Sequence, residues 1–233
     1  MKFDKKNTCD LVNYIVKNCD NIKGIYIHSY PDAQQLQERI SFNKLERRHY
    51  TNALKLRDEH NVPFWDALML SFYNKKEFSS EILNNVLTTH AKRILENMAR
   101  EDILNGKLAK FSKSADNYAI NSRVETYDNK VRHLLLLDFH IPVSEGNQEV
   151  VEIVLKNLEV GAGFLLVSGK SYHFLGRDLI SPAALTRFLG KCLFFSPIID
   201  KSWIGHQLID RSCSLRFTKK NGVFPVFRKL IEC

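Results

Sequence analysis

Four consecutive leucines, Leu134 to Leu137, run straight into Asp138-Phe139-His140. An apolar run that short reads as a strand covered on both faces, because side chains alternate between faces at each residue. A carboxylate at its end is costly to keep charged unless a metal, a cation or hydrogen-bond donors receive it. After one helix length comes a second such run, Gly163 to Val167, which ends in Ser168-Gly169-Lys170-Ser171-Tyr172-His173. The pair calls for a sheet with helices packed on it, and it places polar chemistry at the strand ends.

The flanking sequence supplies the rest of that sheet. Tyr118 to Tyr127 alternates like a strand with one solvated face, Asp128-Asn129-Lys130 makes a tight turn, and His133 to Ile141 returns as the partner of a hairpin. Pro142-Val143-Ser144 leads into a helix from about Glu145 to Glu159, with Val150, Val151, Val154, Leu155 and Leu158 inward and Gly161 and Gly163 ending it. Strands Phe164 to Val167 and Tyr172 to Leu175 follow, then a helix from Ser181-Pro182 to about Phe194 and a short helical turn near Trp203. Two last strands, Ser214 to Thr218 and Val223 to Phe227, flank the turn Lys219-Lys220-Asn221-Gly222.

The first half reads as helical. Thr8 or Asp10 caps a helix with Leu11, Tyr14, Ile15 and Ile22 at helical spacing, followed by a short strand, Gly24 to His28. Asp32 to His60 suits one or two amphipathic helices, Asn61-Val62-Pro63 breaks them, and Phe64 to Leu68 opens another. Ser79 or Ser80 caps a further helix through Ile82, Leu83, Val86 and Leu87, and Asn105-Gly106 supplies a stop. The expected class is therefore α+β: a helical N-terminal region over residues 1–112, followed over 113–233 by a mixed β-sheet core with packed helices.

Charge narrows the partners. Thirty-four Lys and Arg against 26 Asp and Glu give a formal net charge of +8, and residues 201–233 alone hold seven basic and two acidic side chains. Such a surplus favours anionic partners, nucleic acid or nucleotides. Five cysteines without a CxxC pair, and with no signal peptide ahead of them, read as reduced thiols in a cytoplasmic protein. No apolar run approaches the roughly 20 residues that span a bilayer.

Strand alternation puts Asp138 and His140 on one face and Phe139 on the other. A right-handed crossover lays the Phe164 to Val167 strand near the first, which brings Ser168, Lys170 and His173 towards the same surface. Asp210, after Leu208-Ile209, offers a second carboxylate, with Arg211, Arg216, Lys219 and Lys220 around it. Each residue taken alone has a plainer role. Asp138 suits a hydrogen-bonded strand end and His140 an exposed residue beside Pro142. Ser168-Gly169 suits a hairpin turn, His173 a core histidine, and Asp210 a partner of Arg211 or Arg216. His28, His49, His60, His90, His133 and His206 lack a metal-ligand spacing, and Phe64, Trp65, Phe72 and Tyr73 read as helical core.

Taken in order, these motifs resemble the catalytic core of the archaeo-eukaryotic primase superfamily, over roughly Tyr118 to Pro225. In that family a strand ends in Asp-x-Asp, a helix follows, then a strand and turn of the form Ser-Gly-x-Gly-x-His, then a hydrophobic residue followed by Asp. Here the corresponding elements are Asp138-Phe139-His140, Ser168 to His173, and Ile209-Asp210. The resemblance implies a nucleotidyltransferase in which Asp138, Asp210 and His140 bind Mg2+ or Mn2+. Ser168, Lys170, His173 and Arg216 would then meet the triphosphate of a nucleoside triphosphate substrate. It also implies single-stranded DNA as the nucleic acid, held with help from Arg211, Lys219 and Lys220, and a helicase or nuclease as a protein partner. Two departures stand out: His140 occupies the place of the second aspartate, and Ser171 that of the second glycine. Losing one carboxylate weakens a magnesium site and tilts preference towards manganese. The alternative is a catalytically degenerate relative that keeps only a nucleotide or nucleic-acid pocket, in replication or in defence against mobile elements.

Overall fold

The computed structural model describes residues 3–30, 44–62, 64–71, 95–111, 117–220 and 222–232. The helix expected after Ser79 or Ser80, together with Phe72, Tyr73, Pro63, His90 and Asn221, lies outside them, as does the side chain of Trp65. Two compact units divide the chain elsewhere than at residue 112. Met1–Tyr30 groups with Arg93–Cys233, and Pro31–Lys92 forms the second unit. The reason is that the strand near residue 25 belongs to the main sheet and carries the helix before it along.

In the larger unit α1, Thr8–Asn18, begins at Asn7, whose side chain accepts from the Asp10 amide at 3.1 Å while Asp10 accepts from the Asn7 amide at 3.0 Å. This reciprocal cap satisfies two backbone donors, and Leu11, Val12, Ile15 and Val16 bury the inner face. Ile22, expected in this helix, opens β1, Ile22–Tyr30.

The smaller unit contains α2, Lys44–His60, and α3, Phe64–Ser71. They meet over a small core of Ala53, Ala67 and Leu68, bordered by Leu56, Val62 and Phe64.

Back in the larger unit, β2 is Leu95–Ala99, a strand in a stretch that reads as helical. Two short helices, α4 (Arg100–Leu104) and α5 (Lys107–Phe111), precede the hairpin of β3 (Asn117–Thr126) and β4 (Val131–Asp138). Asn129 takes a positive φ in the connecting turn. Then come α6 (Glu145–Asn157, capped by Ser144), β5 (Gly163–Val167), β6 (Tyr172–Ile180) and α7 (Pro182–Cys192, capped by Ser181). A 3-10 turn at Leu193–Phe195 leads to α8, Lys201–Asp210, which is three turns of helix where one turn was expected. The chain ends with β7 (Ser214–Arg216) and β8 (Val226–Ile231).

The sheet order is β2-β1-β3-β4-β6-β5-β8, and β7 pairs with β3. Every described ladder is antiparallel, so the α+β class holds while the sheet is not mixed. Three consequences position the site. First, β6 inserts between β4 and β5, so the α6 crossover makes a split βαβ unit and β6, not β5, adjoins Asp138. Second, β4 pairs with β3 at Arg123–Glu125 while β7 occupies the same edge at Ala119–Asn121. The end of β4 therefore lies close to β7. Third, β7 and β8 join different strands, β3 and β5, and in the connection between them Lys220 and Val223 form an isolated bridge. Because β8 begins opposite Val167, residues 217–220 and 222–225 lie near the sheet end that bears Asp138 and the Ser168 turn.

Leu134 to Leu137 are all buried, as a strand covered on both faces requires. Phe164, Phe174 and Tyr172 extend the same core. Among the described residues no helix is long and apolar enough to cross a membrane.

Candidate functional site

Asp138 is the last residue of β4 and stands directly opposite His173 of β6. Their side chains approach to 3.4 Å, His173 Nε2 to Asp138 Oδ1. The histidine is buried, whereas a third of the Asp138 side chain remains open. Phe139, buried at 2% exposure, anchors the strand end: its amide donates to Tyr172 O at 3.0 Å, and it bridges to Ile199. Alternation then turns His140 outwards, where its amide donates to Ile198 O at 2.8 Å.

That bridge brings in a carboxylate that sequence reasoning missed. Asp200 follows Ile199 and caps α8, its Oδ1 accepting from the Ser202 amide at 2.7 Å and the Trp203 amide at 3.2 Å. Its other oxygen lies 3.9 Å from His140 Nδ1. The stretch Pro197-Ile198-Ile199-Asp200 carries the same signature, a hydrophobic residue followed by Asp, that was placed at Ile209-Asp210. The structure does not bring Asp210 to this group. It is the last residue of α8, exposed, and about 15 Å along the helix axis from Asp200 at 1.5 Å per residue. Arg211 stays at that far end too, in the left-handed conformation that closes α8.

The electrostatics follow from this crowding. Burial and then the nearby charge of Asp200 push the Asp138 carboxyl up to about 7, against the pull of Arg216 and Lys220. Burial, with Arg216 and Lys220 behind it, holds His173 down to about 3, so the imidazole is neutral at pH 7.

The turn between β5 and β6 closes the other side. The Ser168 amide and hydroxyl both donate to Ser171 O, at 2.9 and 3.2 Å, and Gly169 takes φ +117°, a conformation other residues rarely adopt. Lys170 projects from it exposed, while its carbonyl accepts from the Val143 amide at 3.1 Å. Arg216, at the tip of β7, donates to Ser168 O at 2.7 Å and also to the carbonyls of Thr218 and Val223. One guanidinium thus ties β7 and the following loop to the turn. Of the two loop lysines, Lys219 rests over the Phe224 ring at 5.1 Å, and Lys220 acts on Asp138 and His173 through its charge.

Asp138, His140, His173, Ser168, Lys170, Arg216 and Lys220 therefore share one end of the sheet with Asp200. Among the described residues no three of His, Cys, Asp and Glu form a ready metal cage. A magnesium-type ion does not require one, since it is commonly held by one or two carboxylates with water and substrate phosphates completing the shell. A carboxyl raised first by burial and then by a neighbouring carboxylate suits such an ion, whose positive charge offsets both effects. His133, buried near the opposite end of β4, meets Ser122 Oγ at 3.0 Å, and that hydroxyl accepts from the Cys213 amide at 2.8 Å. Its role is structural.

A family model described as archaeo-eukaryotic primase 1D-like matches residues 97–226, more than half of the chain. That span contains Asp138, Ser168, His173, Asp200 and Arg216. No curated protein and no solved structure matches the chain.

Proposed function

Because the chain belongs to the archaeo-eukaryotic primase 1D-like family, we propose that this sheet end is the active site of a primase- or primase-polymerase-type nucleotidyltransferase acting on single-stranded DNA. The observation that carries the reading is geometric: Asp138 lies 3.4 Å from His173 at the end of β4, and the bridge from Phe139 to Ile199 brings the Asp200 carboxylate to the same sheet end. Asp138 and Asp200 would hold a divalent cation, Mg2+ or Mn2+, which when bound supplies positive charge to a triphosphate and acidity to a 3′-hydroxyl. Asp210 leaves the proposed ligand set. The remaining groups belong to the chain itself. Arg216, fixed by three carbonyls, presents a cation of set direction, and Lys170 and Lys220 add exposed ones. His173, neutral at pH 7, offers a ring N–H without competing for the metal's charge. Ser168 and Gly169 shape the turn so that a phosphate can approach the backbone closely. Phosphoryl transfer needs mostly such alignment and charge neutralisation. Lys219 and the basic C-terminal segment are proposed to track the strand's phosphates.

The test is nucleotide incorporation on single-stranded DNA with labelled nucleoside triphosphates, run in magnesium and separately in manganese, with Asp138→Ala as control. Product that disappears in the variant supports the reading.

A second reading has its own observation. His140 replaces the family's second aspartate, and it points outwards, 71% exposed, towards Asp200. A catalytically degenerate module would bind nucleotide at this site and form no product under either metal.

A further inference from the structure

At the opposite end of the sheet a pocket of about 510 Å³ opens between the C-terminal turn of α1 and the strands β4 and β6. Its lining includes Tyr14, Asn18 and Asn21 on one side and Arg132, Arg177 and Asp178 on the other. Arg132 stands six residues before Asp138 on the same strand, which separates it from the candidate active site by roughly 20 Å. The pocket is independent of that site.

The two arginines distinguish it. Both are half-buried. Among the described residues neither guanidinium donates a hydrogen bond or meets a carboxylate; Arg177 rests 5.8 Å from the Tyr14 ring centre, and Arg132 has not even that. Other arginines of the chain are engaged: Arg100 donates to Cys19 O and Ile22 O, Arg216 to Ser168 O, and Arg228 to Gln148. Removing a cation from water without giving it an anion leaves its desolvation uncompensated. Asp178 does not resolve this, because its carboxylate reaches over Gly161, 3.2 Å from where a side chain there would begin. The lining keeps one net positive charge.

We infer that this pocket binds a phosphate-bearing ligand of nucleotide size, with the guanidinium forks of Arg132 and Arg177 taking the phosphate. Guanidinium matches phosphate oxygens two at a time. The volume falls in the range of small-ligand pockets, about 300 to 1,000 Å³. The amides of Asn18 and Asn21 supply further polar contacts at the wall. The same phosphate chemistry comes from two sources, a free nucleotide or the backbone of a nucleic acid strand.

The test is protection from an arginine-selective reagent. The full chain is modified with phenylglyoxal alone, with inorganic phosphate, with ADP and with a single-stranded oligonucleotide, and each arginine is followed by mass spectrometry. Slower modification of Arg132 and Arg177, with exposed Arg187 unchanged, is the expected result. Protection by ADP only assigns a free nucleotide, and protection by the oligonucleotide only assigns strand phosphates. It should persist in Asp138→Asn/Arg216→Gln protein, which excludes the candidate active site as its source. In a direct binding titration with the protecting probe, Arg132→Gln/Arg177→Gln should weaken affinity by about tenfold or more. Arg132→Gln alone, which spares the packing on Tyr14, should give part of that loss. Equal modification rates with and without every probe would overturn the proposal, as would unchanged affinity in both folded variants.

Discussion

Replacing Asp138 by Asn should make the protein more stable at high pH than at low pH relative to wild type, when metal is kept away by a chelator. The carboxyl titrates near 7 in the fold against 3.8 as its ordinary value. The folded chain therefore holds that proton more tightly than the unfolded chain does. Stability contributed by the proton is fully present below about 3.8 and is lost as pH rises through about 7. A shift of that size corresponds to about 4 kcal/mol if solvent is wholly excluded. With a third of the side chain open, screening reduces it to about 2 kcal/mol. Asn keeps the volume and never ionises, so the stability difference, variant minus wild type, should grow by about 2 kcal/mol between pH 4.5 and pH 8. For a chain of this length that is a relative shift in Tm of about 4 to 8 °C. His133, remote from Asp138, titrates alike in both proteins and drops out of the difference, and His173, held down to about 3 chiefly by burial, stays neutral in the fold over this pH range. Paired thermal or urea melts at the two pH values decide the matter. A difference that does not change with pH would refute the crowding of Asp138 by burial and Asp200.

Arg216→Gln removes the donor to Ser168 O and loosens the turn from β7; nucleotide affinity should fall at least about tenfold in a fluorescence titration. Gly163→Ala sets a methyl group inside the edge of the buried Phe174 ring and 2.8 Å from Leu175 O, so urea unfolding should show a loss of about 2 to 3 kcal/mol. Tyr172→Phe deletes the hydroxyl that donates to Ser144 O at 2.7 Å and accepts from its amide at 3.0 Å. Unfolding at neutral pH should show a cost of about 1 to 2 kcal/mol, and the start of α6 should exchange its amide protons faster.

Much of this architecture is legible because the determining signals are local. The leucine run, the Asp128-Asn129-Lys130 turn, the Ser144 and Ser181 caps and the Ser168 turn are each specified by a few neighbouring residues, and each forms where its pattern says. What escapes the sequence is set by tertiary contact. Leu95–Ala99 shows no alternation, and it is a strand because Met98 and its neighbours pair with β1. The helix α8 buries only Ile204 and Gln207 along its length, too few for a clear periodic stripe. Nothing local says that β6 lies between β4 and β5, so His173 faces Asp138 from a strand one place nearer than the crossover rule suggests. The choice between Asp200 and Asp210 has the same origin. Both follow isoleucine, and only the pairing of Ile199 with Phe139 decides which one meets Asp138.

That choice is also where the account is most exposed, and nucleotide incorporation on single-stranded DNA by Asp138→Asn, Asp200→Asn and Asp210→Asn protein tests it directly. Assayed beside wild type in magnesium and in manganese, the first two should lose about a hundredfold or more, the loss expected when charge stabilisation at the reacting phosphate is removed. Asp210→Asn should stay within a factor of about three of wild type, as a substitution at the remote end of α8 should. Full activity in Asp200→Asn together with loss in Asp210→Asn would contradict the site described here.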